Sequence, residues 1–290
     1  MKRLNELDLD GLQVLDGGMA TELERIGCSL RNPLWSAQVL ETAPDLIAAV
    51  HREYLEAGAD CLVTASYQVS QKGFLEIGRS PAAADEALRA SVALAEEVRH
   101  SYRSVRPKKI WIAAGLGPYG AALHNGAEYH GNYSCSFEEL VGFHSGRLAV
   151  LQETRADFIA FETIPSAEEA RAILAALRQF PSLAALISFT CRDGGHLAHG
   201  ESLAGAARQL DGEEQVIAIG VNCTHPAFLL PLIGEIAAVT PKRIAVYPNS
   251  GEQWDAAQHR WTGESLAVSF GAMALQWRAA GAQWIGGCCR

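Results

Sequence analysis

The sequence predicts an α/β protein, a (β/α)8 TIM barrel, with no final helix after its last strand. Three observations carry this. Short runs rich in Val, Ile, Leu, Ala and Phe recur eight times, each bounded by Gly, Asn, Asp or Pro. The runs alternate with longer segments in which apolar residues recur at helical spacing. They are also continuously apolar, as expected of parallel strands covered by helices on both faces. Eight such units joined by right-handed crossovers close into a barrel of about 250 residues. An open doubly wound sheet would call for a phosphate-binding glycine loop after the first strand, and Asp16-Gly17-Gly18-Met19 lacks the full G-x-G-x-x-G pattern.

Taken in order, the strands fall at 13–15, 61–65, 110–114, 158–161, 185–189, 216–221, 243–247 and 283–285. Helical segments fall at 45–57, 82–102, 137–154, 167–179 and 265–279. Ser136 before Phe137-Glu138-Glu139 and Ser166 before Ala167-Glu168-Glu169 read as N-caps. The eighth strand ends near Ile285 and the chain ends at Arg290, leaving no room for an eighth helix. No linker, repeat or low-complexity tract divides residues 1–290, so one domain is expected.

Composition narrows the function. Hydrophobic residues make up 49% of the chain and charged residues 20%, a balance that excludes a disordered chain. A formal charge of −9, with Arg106-Pro107-Lys108-Lys109 the longest basic run, argues against a nucleic-acid partner. The opening MKRLNELDLDGL has no apolar leader core, and no window offers the 18 or so uninterrupted apolar residues of a membrane span. A soluble, cytoplasmic protein is expected. Seven cysteines, unevenly placed, fit reduced thiols better than a disulfide framework. Cys28, Cys61, Cys135 and Cys191 stand singly and read as small buried hydrophobes.

In a (β/α)8 barrel the chemistry sits where strands end. Those positions hold Asp16-Gly17-Gly18-Met19, Thr64-Ala65-Ser66-Tyr67, Gly117-Pro118-Tyr119-Gly120, Glu162-Thr163, Asn222-Cys223-Thr224, Pro248-Asn249-Ser250-Gly251 and Gly286-Gly287-Cys288-Cys289. Cys223 closes strand six and Cys288-Cys289 closes strand eight, on one rim. Three thiolates with an open fourth position suit a catalytic Zn²⁺. A vicinal Cys288–Cys289 disulfide, or two idle thiols, is the alternative from the residues alone. Asp16 and Glu162 face the same mouth, either as solvated loop acids or as a clamp for a cationic group such as an amino-acid ammonium. The backbone of Gly17, Gly18 and Met19 offers a nest for the matching carboxylate. Trp35, Tyr67, Tyr119, Tyr129 and Tyr133 are either wall residues or a cavity for a sulfonium or quaternary ammonium. His124, His130, His144 and His225 lack metal-spaced partners and read as structural.

Asp16-Gly17-Gly18-Met19, Gly220-Val221-Asn222-Cys223 and Gly286-Gly287-Cys288-Cys289 together resemble the homocysteine S-methyltransferase family, in the right order along nearly the whole chain. LDGGMATELERIGCSLRNPLWSA, TASYQVS, GPYGAALHNGAEYHGNY and VYPNSGEQWD look most like its bacterial S-methylmethionine:homocysteine methyltransferases. The resemblance implies one Zn²⁺ per chain on Cys223, Cys288 and Cys289, with homocysteine sulfur as fourth ligand. It implies that Asp16 and Glu162 hold the homocysteine ammonium and that the 17–19 backbone with Thr64 and Ser66 holds its carboxylate. It places Asn249 near the metal. The implied reaction is methyl transfer from S-methylmethionine, or less well S-adenosylmethionine, to homocysteine, giving methionine. Betaine as donor is one alternative and a non-catalytic zinc or thiol redox sensor is the other; a zinc hydrolase is disfavoured because three thiolates weaken the metal's Lewis acidity. A monomer or small homo-oligomer is expected. Family members continue past the cysteine pair with a Pro-containing loop and a last helix, which this sequence lacks.

Overall fold

The computed structural model describes residues 6–28, 30, 36–255, 260–263 and 269–289. Trp35 and the predicted start of the last helix at 265–268 lie outside the described residues. Helices α1 (Met19–Arg25), α2 (Ser36–Thr42) and α3 (Pro44–Ala57) precede β1 (Cys61–Val63), and α4 (Gln71–Glu76) and α5 (Pro81–Val105) lead to β2 (Trp111–Leu116). Two 3-10 turns, Tyr119–Leu123 and Ala127–Tyr129, then lead into α6 (Phe137–Leu151) and β3 (Phe158–Ile164). The alternation continues through α7 (Ala167–Leu177), β4 (Ala185–Phe189), α8 (Leu203–Leu210), β5 (Val216–Asn222), α9 (Leu229–Ala237) and β6 (Arg243–Tyr247). An antiparallel ribbon of β7 (Gln253–Asp255) and β8 (Arg260–Thr262) interrupts it before α10 (Phe270–Ala279) and β9 (Trp284–Ile285).

Seven parallel strands run in the order β1-β2-β3-β4-β5-β6-β9. The segment predicted as the first strand supplies the eighth stave through two parallel bridges, Val14 to Ile285 and Leu15 to Cys61. The Leu15 N–H donates to Ile285 O at 2.9 Å and the Asp16 N–H to Cys61 O at 3.1 Å, so the chain's first and last strands are joined and the ring is closed. Asp60 anchors this seam, its Oδ2 accepting the Gln13 and Val14 N–H groups at 3.0 and 2.8 Å.

Alternation along the strands separates two cores. Leu15, Cys61, Trp111, Ala113, Phe158, Ala160, Leu186, Ala218, Ala245 and Trp284 fill the barrel interior. Ile112, Ile159, Ile187, Ile219 and Val246 face the helices. Serine caps head α4, α5, α6, α7 and α8. Both predicted caps are among them, and Ser136 with Glu139 forms a complete capping box. No helix among the described residues is long and apolar enough to cross a membrane.

Strand four extends past its predicted end because polarity there marks the mouth and not a loop. After Phe161 the ladder shifts register and resumes at Ile164, leaving Glu162 and Thr163 in a bulge.

Candidate metal centre and substrate pocket

The parity that sends Phe158 and Ala160 inward carries Glu162 to the top of the barrel interior. Gly115 makes room for it: a Cβ at that position would lie 3.1 Å from Glu162 Oε2. Gly220 is kept small in the same way by Ser188 and the Ala245 backbone.

The cysteines converge at this mouth. Cys223 Sγ lies 2.7 Å from Cys288 Sγ and 3.9 Å from Cys289 Sγ, and the two adjacent cysteines are 3.8 Å apart. A tetrahedral ion with bonds near 2.3 Å to sulfur spaces its ligands by about 3.8 Å, which two of the three edges match. None of the three forms a disulfide. They are the one group of three or more His, Cys, Asp or Glu side chains among the described residues able to share an ion. An all-thiolate donor set fits zinc by softness and geometry.

Backbone bonds hold the ligands in place. The Cys288 N–H donates to Pro248 O at 2.9 Å, the Ser250 N–H to Cys289 O at 3.1 Å and the Gly287 N–H to Asp16 O at 3.1 Å. Gly18 must be glycine for space, since a Cβ there would come within 1.9 Å of Cys288 O.

Two residues at the mouth take left-handed backbone, Thr163 at φ 62° and Cys223 at φ 47°. Asn222 ties them together. Its Oδ1 accepts the Thr163 N–H at 2.7 Å, its Nδ2 donates to Thr163 Oγ1 at 2.9 Å, and the same amide reaches Cys288 Sγ at 4.0 Å. Neither role is readable from sequence, where Thr163 is a strand-end polar residue and Asn222 the residue before a cysteine.

The electrostatics favour an arriving cation. Asp16 is buried, its Oδ2 accepting the Val63 N–H at 2.8 Å, and burial aided by Glu162 and Cys288 raises its carboxyl well above the usual range. Burial, with Cys288, pushes Glu162 up to about 8, which neighbouring Tyr247 partly offsets. Two buried acids beside the cysteine cluster, each held above its usual range by burial, keep their protons until a cation arrives to meet them, so the pocket suits a cationic group.

Other predicted site residues are placed differently. The Thr64 and Ser66 hydroxyls bond each other at 2.6 Å; Thr64 Oγ1 also accepts the Gly115 N–H, and Ser66 Oγ donates to Gly115 O. Their hydroxyls thus brace β1 against β2. Asn249 folds into its own loop, Nδ2 donating to Glu252 O at 3.1 Å and Oδ1 accepting the Gly251 N–H at 3.1 Å. Tyr119 joins an aromatic cluster with Tyr133 and Phe143, ring centroids 5.3 and 5.2 Å away, and its N–H donates to Glu169. Behind this cluster lies a buried network that sequence reading missed: His144 Nε2 lies 3.0 Å from Glu169 Oε1, and Arg147 bonds His144 Nδ1 and Gly117 O at 2.7 and 2.9 Å. His144 is structural, as expected. Gly17 lies under the Tyr54 ring, whose hydroxyl donates to Gly18 O at 3.3 Å, and Met19 opens α1.

Comparison with known proteins agrees with this geometry. Residues 13–290 match the family model described as homocysteine S-methyltransferase. The chain is 48% identical to homocysteine S-methyltransferase YbgG of Bacillus subtilis, over 98% of this chain and 92% of the relative. It is 41% identical to homocysteine S-methyltransferase of Escherichia coli, over 98% and 93%. The metallated crystal form of E. coli homocysteine methyltransferase MmuM superposes with a TM-score of 0.85 at 39% identity, covering 98% of this chain and 93% of that one. With its closed barrel, its three cysteines at one mouth and a family match spanning residues 13–290, this chain belongs to the homocysteine S-methyltransferase family.

Proposed function

We propose that this chain, as a single catalytic domain over residues 1–290, transfers a methyl group from S-methylmethionine to homocysteine, forming methionine. The observation that carries the reading is the convergence of Cys223, Cys288 and Cys289 beside the buried pair Asp16 and Glu162.

A free thiol has a pKa near 8.5, and the acceptor must react as thiolate. Zinc held by the three cysteines supplies the Lewis acidity that keeps the acceptor sulfur deprotonated near neutral pH. The protein does the rest by placement. Asp16 and Glu162 receive the homocysteine ammonium, which settles their own unfavourable burial. The backbone of Gly17, Gly18 and Met19 receives its carboxylate, with Thr64 and Ser66 fixing the adjoining strand end and Tyr119 the wall. Asn249 shapes the loop over Cys289.

The acceptor sulfur attacks the donor methyl in line. A new S–C bond forms as the donor S–C bond breaks, and the electron pair of the broken bond stays on the donor sulfur as a neutral thioether. No acid catalyst is required, so excluding water and aligning the two sulfurs are the main tasks. S-adenosylmethionine carries the same leaving-group chemistry and is the second donor to test.

The test is labelled product. Zinc-loaded protein given homocysteine and methyl-labelled S-methylmethionine is expected to yield labelled methionine, and a chelator or Cys223→Ala to abolish it. Zinc-loaded protein that forms no labelled methionine would sink this donor assignment.

A further inference from the structure

Glu128 lies in the short turn Ala127–Tyr129, is only 9% exposed, and its Oε2 has no hydrogen-bond partner. The turn is fixed in place by Gly120, where a Cβ would lie 2.5 Å from the Glu128 nitrogen. Apart from its own backbone N–H, nothing offsets the burial of this carboxyl, which is pushed up to about 7. An unpaired buried carboxylate is unfavourable unless it takes up a proton or meets a cation.

Its neighbours point to the cation. The Tyr67 ring packs on Gly117, three residues before the Gly120 that seats this turn, and Tyr129 belongs to the turn itself, so both rings stand within reach of the Glu128 charge. Asp16 and Glu162 lie in the field of Cys288, as Tyr67 does too. The mouth thus has two acidic poles, the Asp16 and Glu162 pair and Glu128, with the rings of Tyr67 and Tyr129 beside the second. The acceptor's ammonium accounts for the first pole. A methyl donor of the proposed class is also cationic, and aromatic faces beside a carboxylate suit a sulfonium or ammonium.

We propose that Glu128 is the counter-charge for the methyl donor, its carboxylate receiving a cationic group of the donor between Tyr67 and Tyr129. Glu128 is therefore a specificity-determining residue. This rests on the methyltransferase reading and adds the donor pole to it.

The test is a comparison of Glu128→Gln and Glu128→Asp with the parent protein, all zinc-loaded and matched for thermal stability. Glu128→Gln is expected to raise the KM for S-methylmethionine tenfold or more, with the homocysteine KM within twofold and one zinc per chain retained. Glu128→Asp, which keeps the charge, is expected to recover most of that loss. Dimethylsulfonioacetate, a sulfonium without an ammonium, identifies the group received: a raised KM for both donors assigns the sulfonium, and for S-methylmethionine alone the ammonium. A donor KM within twofold in Glu128→Gln overturns the inference, as does an equal rise in both substrates' KM. If the parent protein uses betaine or S-adenosylmethionine instead of S-methylmethionine, the donor assignment above fails and the same comparison with that donor decides the role of Glu128. Turnover with none of these cations overturns both.

Discussion

Thr163 and Asn222 show how strain at the site is held. A β-branched residue in left-handed backbone is unfavourable by about 1–3 kcal/mol, and Thr163 tolerates it because Asn222 satisfies both its N–H and its hydroxyl. Asn222→Ala should destabilise the protein by about 2–3 kcal/mol, since it leaves a buried N–H unpaired, and should weaken zinc binding because the amide also reaches Cys288. Urea unfolding and chelator competition measure the two effects. In a Thr163→Gly background the destabilisation should shrink by about 1 kcal/mol, because glycine keeps the N–H but has no hydroxyl for Asn222 to bond; an undiminished loss would show that the bond to the Thr163 hydroxyl contributes nothing. His51 gives a second residue-level expectation. It is fully buried, neither ring nitrogen has a partner, and burial pushes its imidazole down to about 4. The unfolded chain binds the proton from about pH 6.5, so the native state loses stability as pH falls from about 6.5 to about 4, by roughly 3 kcal/mol in total. His51→Leu should lack that part of the acid limb when unfolding is compared at pH 7 and pH 4. The cysteine triad and the Asp16 and Glu162 pair were legible in the sequence because strand ends carry chemistry in this fold. Thr163, Asn222 and Glu128 were not, since backbone sign and an unpaired carboxylate exist only once the chain is folded.

Among elements, α6 shows what local sequence decides. Its capping box satisfies one backbone donor at each end of the Ser136–Glu139 pair, with Ser136 Oγ accepting the Glu139 N–H at 3.1 Å and Glu139 Oε2 the Ser136 N–H at 2.7 Å. Ser136→Ala should cost about 1 kcal/mol, measurable by chemical unfolding. The helix also carries His144 and Arg147 against Glu169, so its position sets the loop at Gly117 and Tyr119. Two of the five serine caps, Ser136 and Ser166, were read in the sequence because each depends on residues three apart. The β7 and β8 ribbon, which pairs Gln253 with Thr262, was not, because the sequence there carries no strand-length apolar run. Helix α1 is tied to the metal centre through its N-cap, Gly18. Gly18→Ala would drive a methyl into the Cys288 carbonyl, so zinc affinity should fall at least tenfold while far-UV circular dichroism stays native. Unchanged affinity would mean the 286–289 turn can shift without disturbing the ligands.

At the scale of the whole molecule, the barrel was legible because strand count and parity follow from short apolar runs, whereas its closure depends on contacts between the two ends of the sequence. The seam joins Val14 and Leu15 to Ile285 and Cys61, and the metal ligands stand just past it, Cys288 and Cys289 after β9 and Cys223 after β5. Strand β6 alone separates these two strands in the sheet. An ion shared by Cys223 and the Cys288–Cys289 pair therefore clamps the last stave to the body of the barrel, and unfolding must break the clamp. A ligand that binds only the folded state stabilises it by about 2.7 kcal/mol when free at a hundred times its dissociation constant. For a chain of this size that corresponds to several degrees in Tm. Zinc at that excess should raise the Tm of the metal-stripped protein by this much, and a chelator should reverse the shift. Cys223→Ala should lose most of it, because two adjacent thiolates on one turn no longer link separate strands. Cys135→Ser, which changes a cysteine outside the triad, should keep it. Equal zinc shifts in all three proteins would mean that the ion binds without bridging β5 and β9.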